Sequence, residues 1–123
     1  MSFRNIFALL LLLPWTAQVM AQSIPTENRC GWFENPSPQN VWLLDREGEW
    51  EISMQGGSEA QGDWPKFKPS QWVNAANGSY GFGCACMKVV TDKAAHAIRK
   101  IVSAQARPLG ACRNDRALKE PAD

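Results

Sequence analysis

The chain has 123 residues, thirteen Lys and Arg against twelve Asp and Glu, a formal net charge of +1, four cysteines and six tryptophans. So even a balance creates no overall field to gather nucleic acid or an anionic membrane, and neither is expected as a partner. The length suits one domain with a modest core that gains from cross-links.

The first 21 residues have the layout of a secretory signal peptide. Arg4 supplies the positive start, Ile6 to Leu13 form an uninterrupted apolar run, and Pro14 ends it. Val19-Met20-Ala21 offers a cleavage site, which leaves Gln22 as the first mature residue. The run is too short to cross a bilayer; a short membrane anchor is the alternative. No cysteine stands near the cleavage site, which argues against a lipid anchor. Residues 22–123 are therefore expected as one exported domain, periplasmic or secreted, with no membrane span once the signal is removed. Loss of Arg4 leaves twelve basic residues facing twelve acidic ones.

Residues 22–29 read as a polar lead-in. Asn35-Pro36-Ser37-Pro38 reads as a turn or extended loop, since proline fixes φ and disfavours helix before it. Val41-Trp42-Leu43-Leu44 is β-prone, Asp45-Arg46-Glu47-Gly48 suits a type I turn, and Trp50, Ile52 and Met54 alternate with Glu49, Glu51 and Ser53. Residues 41–54 are therefore predicted as a β-hairpin, with Trp42 and Trp50 in the core. Residues 55–63 are Gly-rich loop. Trp64 to Trp72 is an aromatic connector whose prolines argue against a central strand. Asn77-Gly78-Ser79 signals a turn, and residues 79–90 read as the longest strand, with Gly81 and Gly83 permitting a bulge or a close backbone approach. Residues 92–106 have two readings. Alanine content and Asp92 as N-cap favour a helix. A turn over Asp92-Lys93-Ala94-Ala95 favours a strand returning from 97 to 106. Pro108 ends either one, and the tail from Arg113 is charged surface.

An exported chain is expected to be oxidised, so Cys30, Cys84, Cys86 and Cys112 read as two disulfides. Residues two apart on a strand point to one side. Cys84 and Cys86 then project together, and a direct bond between them would close a small strained ring. One pairs with Cys30 and the other with Cys112; 30–84/86–112 and 30–86/84–112 both remain open. Each bridge closes a long loop, for an estimated ~3–4 kcal/mol on the chain-entropy account. A zinc site and a Cys-x-Cys redox pair are the rivals. His96 is the one histidine, and zinc spacers are usually longer.

No catalytic constellation stands out, and no cofactor or metal is expected. His96 alone would have to serve every triad scheme. Asp45 with Glu47, and Glu49 with Glu51, are the available carboxylate pairs, but exposed hairpin faces look like this routinely. The aromatics carry more. Trp32, Phe33, Trp64, Phe67 and Trp72 lie in stretches read as proline-rich loops, and Lys66 and Lys68 flank Phe67. Aromatic loops on a rigid frame are a common binding surface, set against their use as core filling.

The stretches RCGWFENPSPQNVWLLDREGEW (29–50), QGGSEAQGDWP (55–65), NGSYGFGCACMKV (77–89) and ARPLGACRNDRAL (106–118) resemble a family of small exported bacterial proteins classed as a domain of unknown function. The resemblance spans nearly all of the mature chain and holds the four cysteines in order. It implies a bacterial, periplasmic protein and no particular activity. The segment before ARPL in such relatives is richer in β-branched residues, which favours the hairpin reading of 84–106.

The fold expected is a single mostly β domain, a small antiparallel sheet or barrel with long loops and two disulfides; the alternative is α+β with a helix at 92–106. The function expected is non-catalytic binding through Trp32, Phe33, Trp64, Lys66, Phe67 and Trp72. The partner expected is another periplasmic protein, with the chain acting as inhibitor or immunity partner of a cell-wall-acting enzyme or toxin. A cell-wall glycan, met by the tryptophans with Glu49 or Asp63 as hydroxyl acceptors, is the second reading. A hydrolase using two of Asp45, Glu47, Glu49, Glu51 and Asp63 is the third.

Overall fold

The apolar alternations of the chain appear as strands in the computed structural model, which describes residues 12–18, 23–75 and 78–122. In chain order the elements are β1 (Glu27–Ser37), β2 (Asn40–Asp45), β3 (Gly48–Ser53), a 3-10 turn (Pro69–Gln71), β4 (Trp72–Asn74), β5 (Gly81–Asp92), β6 (Ala97–Arg107) and a short helix α1 (Leu109–Arg113). The signal peptide expected over 1–21 lies largely outside the described residues, as does Asn77 of the predicted turn. Among the described residues no helix is long and apolar enough to cross a membrane.

The strands form one six-stranded sheet in the order β1-β2-β3-β6-β5-β4, and β1 also pairs with β5. Every pairing is antiparallel except β3 with β6, which run parallel and meet at Glu51 and Ala97. The sheet is thus mixed rather than purely antiparallel. β5 is the organising strand. β1 lies along one side of it, while β4 and then β6 share the other, β4 against Gly81–Gly83 and β6 against Cys84–Asp92.

The hairpin predicted over 41–54 forms, with Asp45 opposite Gly48 and the Glu47 N–H donating to Asp45 Oδ1 at 2.8 Å. Gly48, at φ 111°, takes the left-handed conformation that closes this turn. The longest strand also forms, two residues further on than expected at each end. Residues 92–106 resolve as the end of β5, a turn over 93–96 and strand from Ala97. The Asp92 carboxylate accepts the Ala95 N–H at 3.1 Å, so it organises a turn rather than capping a helix. Ile98 and Ile101 then reach the core as β6 returns along β5.

Four expectations need correction. The polar lead-in is strand from Glu27, and Asn35-Pro36-Ser37 completes β1, with the turn falling at Pro38–Gln39. β1 hid in the sequence because both of its faces are buried: Phe33 enters the main core while Trp32 enters a second cluster on the opposite face. It therefore shows no period-two alternation. Pro36 is tolerated because the β1–β2 register is irregular between Glu34 and Ser37 and the β5 pairing has ended at Asn35. Trp42 is half-buried rather than core, whereas Trp50 is buried. Met54 lies beyond β3 and is exposed, while Ser53 is buried, so the predicted alternation ends at Ile52.

The main core gathers Phe33, Val41, Leu43, Trp50, Ile52, Met87, Val89, Ile98 and Ile101. Burying each of these large side chains contributes about 1.5–3 kcal/mol before entropy is charged. The second cluster joins Trp32 and Phe82, edge to face at 5.3 Å, with the sulfurs of Cys84 and Cys112. Two disulfides form, Cys30–Cys86 and Cys84–Cys112, and they take up all four thiols. Both leave β5 on the face opposite the main core. Cys30 and Cys86 are direct cross-strand partners, while Cys112 reaches Cys84 from α1.

Candidate functional site

Side chains from β1, the 64–72 connector and β4 meet around Gly83. On β5 this glycine faces Phe33 of β1 on one side and Trp72 of β4 on the other. A Cβ at position 83 would stand 2.6 Å from the Phe67 ring and 2.7 Å from the Gln71 carbonyl oxygen. Only glycine leaves room for Phe67 to lie against the strand. The Phe67 ring sits 5.7 Å from Phe33 and 5.0 Å from Trp72, and Phe33 is 5.8 Å from Trp64. Neighbouring rings are tilted by 43–59°. Such tilted pairs add about 0.5–1.5 kcal/mol each beyond their buried area.

These rings line an open groove of about 450 Å³, completed by Asn35, Pro65, Lys68, Pro69 and Asn74. Trp64, Phe67 and Trp72 are half-buried, each with part of its surface free. Their positions are fixed by polar contacts at the rim. The Trp72 indole N–H donates to the Ser79 carbonyl at 3.0 Å. The Lys68 N–H donates to Gln71 Oε1, and the Gln71 N–H to the Lys68 carbonyl, which locks the 3-10 turn between Phe67 and Trp72. Glu34, between Phe33 and Asn35 on β1, does not line the groove; burial and the neighbouring Glu49 hold its carboxyl above its usual value.

The six residues predicted for binding divide. Trp64, Phe67 and Trp72 come together. Phe33 joins them as floor of the groove, although at 2 % exposure it is core and not the loop aromatic expected. Trp32 does not join: it is fully buried on the other face of β1, because neighbours on a strand point apart. Lys66 lines a separate depression of about 460 Å³ with Gly62, Asp63 and the outer edge of β6, and Trp64 stands as the wall between the two. Asn35, Pro65, Pro69 and Asn74 were missed. The pointer to them in the sequence was Gly83, a glycine inside a strand, which marks a close approach by another group.

The candidate carboxylates are distributed elsewhere. Asp45 and Glu47 share a depression with Glu27, and all three converge on Arg29 at 2.7–3.1 Å. The hydrogen bond from Thr91 and the Arg29 charge hold Glu27 below its usual value despite partial desolvation. His96 is stacked on Trp50 at 3.8 Å, and its Nδ1 meets the Glu49 carbonyl. Glu49 and Asp63 do not line the aromatic groove. Among the described residues no group of three or more His, Cys, Asp or Glu could hold a metal ion.

None of the curated proteins and none of the solved structures compared with the chain matches it. The model of the family described as "Protein of unknown function (DUF4087)" matches residues 24–119, the whole of the sheet together with α1, and the chain belongs to that family.

Proposed function

We propose that this protein is an exported, non-catalytic binding protein whose partner docks in the groove between Trp64 and Trp72. The observation that carries the reading is the aromatic cluster itself: three half-exposed rings, held by a sheet and two disulfides, around a concavity of about 450 Å³. Preorganised aromatic pockets supply much of the energy in protein recognition, because little side-chain freedom is left to lose on binding. The tilt of the rings suits a protruding side chain or a proline-bearing segment better than the flat face of a sugar. Lys68 on the rim and Lys66 beside it join no ion pair among the described residues. An apolar knob flanked by carboxylates is the complementary surface. In cellular terms the reading is a periplasmic partner, inhibitor or immunity protein, acting on a cell-wall-directed enzyme or toxin.

The test is a pull-down from a periplasmic extract with the mature oxidised protein, beside a Trp64→Ala/Trp72→Ala double variant of verified fold. The expected result is a protein retained by the wild type and lost by the variant. When purified, that protein should quench tryptophan emission on binding and lose at least ~30-fold in affinity for the variant, the weight of one hot-spot residue. Retention on a peptidoglycan column, with no protein captured, would replace this reading by glycan binding through the same concavity.

A further inference from the structure

The two disulfides occupy opposite environments. Cys84 and Cys112 are 3 % and 2 % exposed and packed among Trp32 and Phe82. Cys30 is exposed and Cys86 half-exposed, and both line a depression of about 390 Å³ with Asn28, Lys88, Ser103 and Gln105. Arg107 places Nη1 3.9 Å from Cys86 Sγ, on the same side of the sheet. One bridge is thus sealed, and the other is open to solvent with a cation beside one of its sulfurs.

We propose that Cys30–Cys86 is a thiol–disulfide exchange site for a dithiol-carrying oxidoreductase, while Cys84–Cys112 stays permanently closed. The asymmetry sets the direction of attack. An incoming thiolate attacks Sγ of Cys30, the more exposed residue of the pair, and forms a bond to it. The Cys30–Cys86 bond breaks and its electron pair passes to Cys86 Sγ, which leaves as a thiolate stabilised by the Arg107 guanidinium. A stabilised leaving thiolate speeds this step. The second thiolate of the dithiol then attacks its own sulfur in the mixed disulfide and expels Cys30 as a thiolate. Two protons from solvent complete the products: the dithiol has become a disulfide, and Cys30 and Cys86 are thiols. The reverse sequence recloses the bridge. Lys88 and Arg107 add positive charge that draws the attacking thiolate into the depression.

The experiment treats the full-length oxidised protein with reduced glutathione at neutral pH, quenches by acid, and locates free thiols and adducts by differential alkylation and mass spectrometry. Cys30 and Cys86 should open at least ~10-fold faster than Cys84 and Cys112, with the glutathione adduct on Cys30. Arg107→Ala should slow opening roughly three- to tenfold, and Arg107→Lys should restore most of the rate. Circular dichroism of both variants controls for the fold. Equal opening of the two bridges, an adduct on Cys86, or an unchanged rate in Arg107→Ala would each overturn the proposal.

Discussion

Arg29 enters β1 with its guanidinium enclosed by Glu27, Asp45 and Glu47 and lying 3.9 Å over the Trp50 ring. Burial opposes its charge, but the hydrogen bond to Asp45 and the surrounding carboxylates outweigh that and hold it above its usual value. The Trp50 indole N–H donates to the same Asp45 carboxylate at 3.1 Å, and His96 covers the other indole face. One side chain thus ties β1 to the β2–β3 turn and packs the central tryptophan. The Asp45 side chain is 4 % exposed, so removing Arg29 strands a buried carboxylate. Arg29→Met is expected to cost about 3–5 kcal/mol, because the penalty of the orphaned charge exceeds the worth of the pair. Arg29→Met/Asp45→Asn should recover a large part of it. Urea denaturation of the two single variants and the double variant measures the coupling. Arg29→Lys should rescue poorly, since one ammonium cannot reach Glu27 and Asp45 in two directions while stacking on Trp50.

At the scale of elements, a strand was legible where a wet face left an alternation or where a long apolar run stood unbroken. The β2–β3 hairpin was readable because one face is wet and Asp45 and Gly48 mark its turn. β5 was readable from its apolar run and flanking glycines. β1 was not, because both faces are covered and Pro36 looks like a loop residue when its missing hydrogen bond cannot be placed in space. The β6 strand was the reverse case: its alanines speak for helix, and its place along β5 overrides local propensity. The groove was legible only in part. Trp64, Phe67 and Trp72 declare themselves as aromatics in a proline-rich connector, but that they converge depends on Gly83, whose role needs the β1–β5–β4 register. Gly83→Ala should therefore act on the site as well as on stability. Its methyl would push Phe67 off β5 at a cost of about 1–3 kcal/mol of overpacking. Tryptophan emission should shift to the red as Trp72 loses its neighbour, and the captured partner should be released.

For the whole molecule, the pairings run from β1 through β2 and β3 to β6 and back by β5, and the links are unequal. β1 and β5 pair continuously from Glu27 and Val89 to Asn35 and Gly81, and β5 and β6 from Cys84 and Arg107 to Asp92 and Ala97 with two irregularities. Both disulfides also end on β5. The β3–β6 register holds one pair, Glu51 with Ala97, where the Glu51 N–H donates to the His96 carbonyl at 3.1 Å, beside one bridge in which Gln61 donates to Arg99 and accepts from Ile101. Opening there breaks few backbone hydrogen bonds, so it should occur below the global unfolding energy. Native-state hydrogen exchange followed by NMR should show Glu51 and Gln61 exchanging at least ~100-fold faster than Met87. Equal protection would mean that the sheet opens only as a unit. The junction also bears on binding. Gln61 lies three residues before Trp64, the wall of the groove, so a partner that fixes Trp64 resists opening of the neighbouring bridge. Exchange at Gln61 should slow when the partner binds, while Met87 in the disulfide-linked strand stays unchanged.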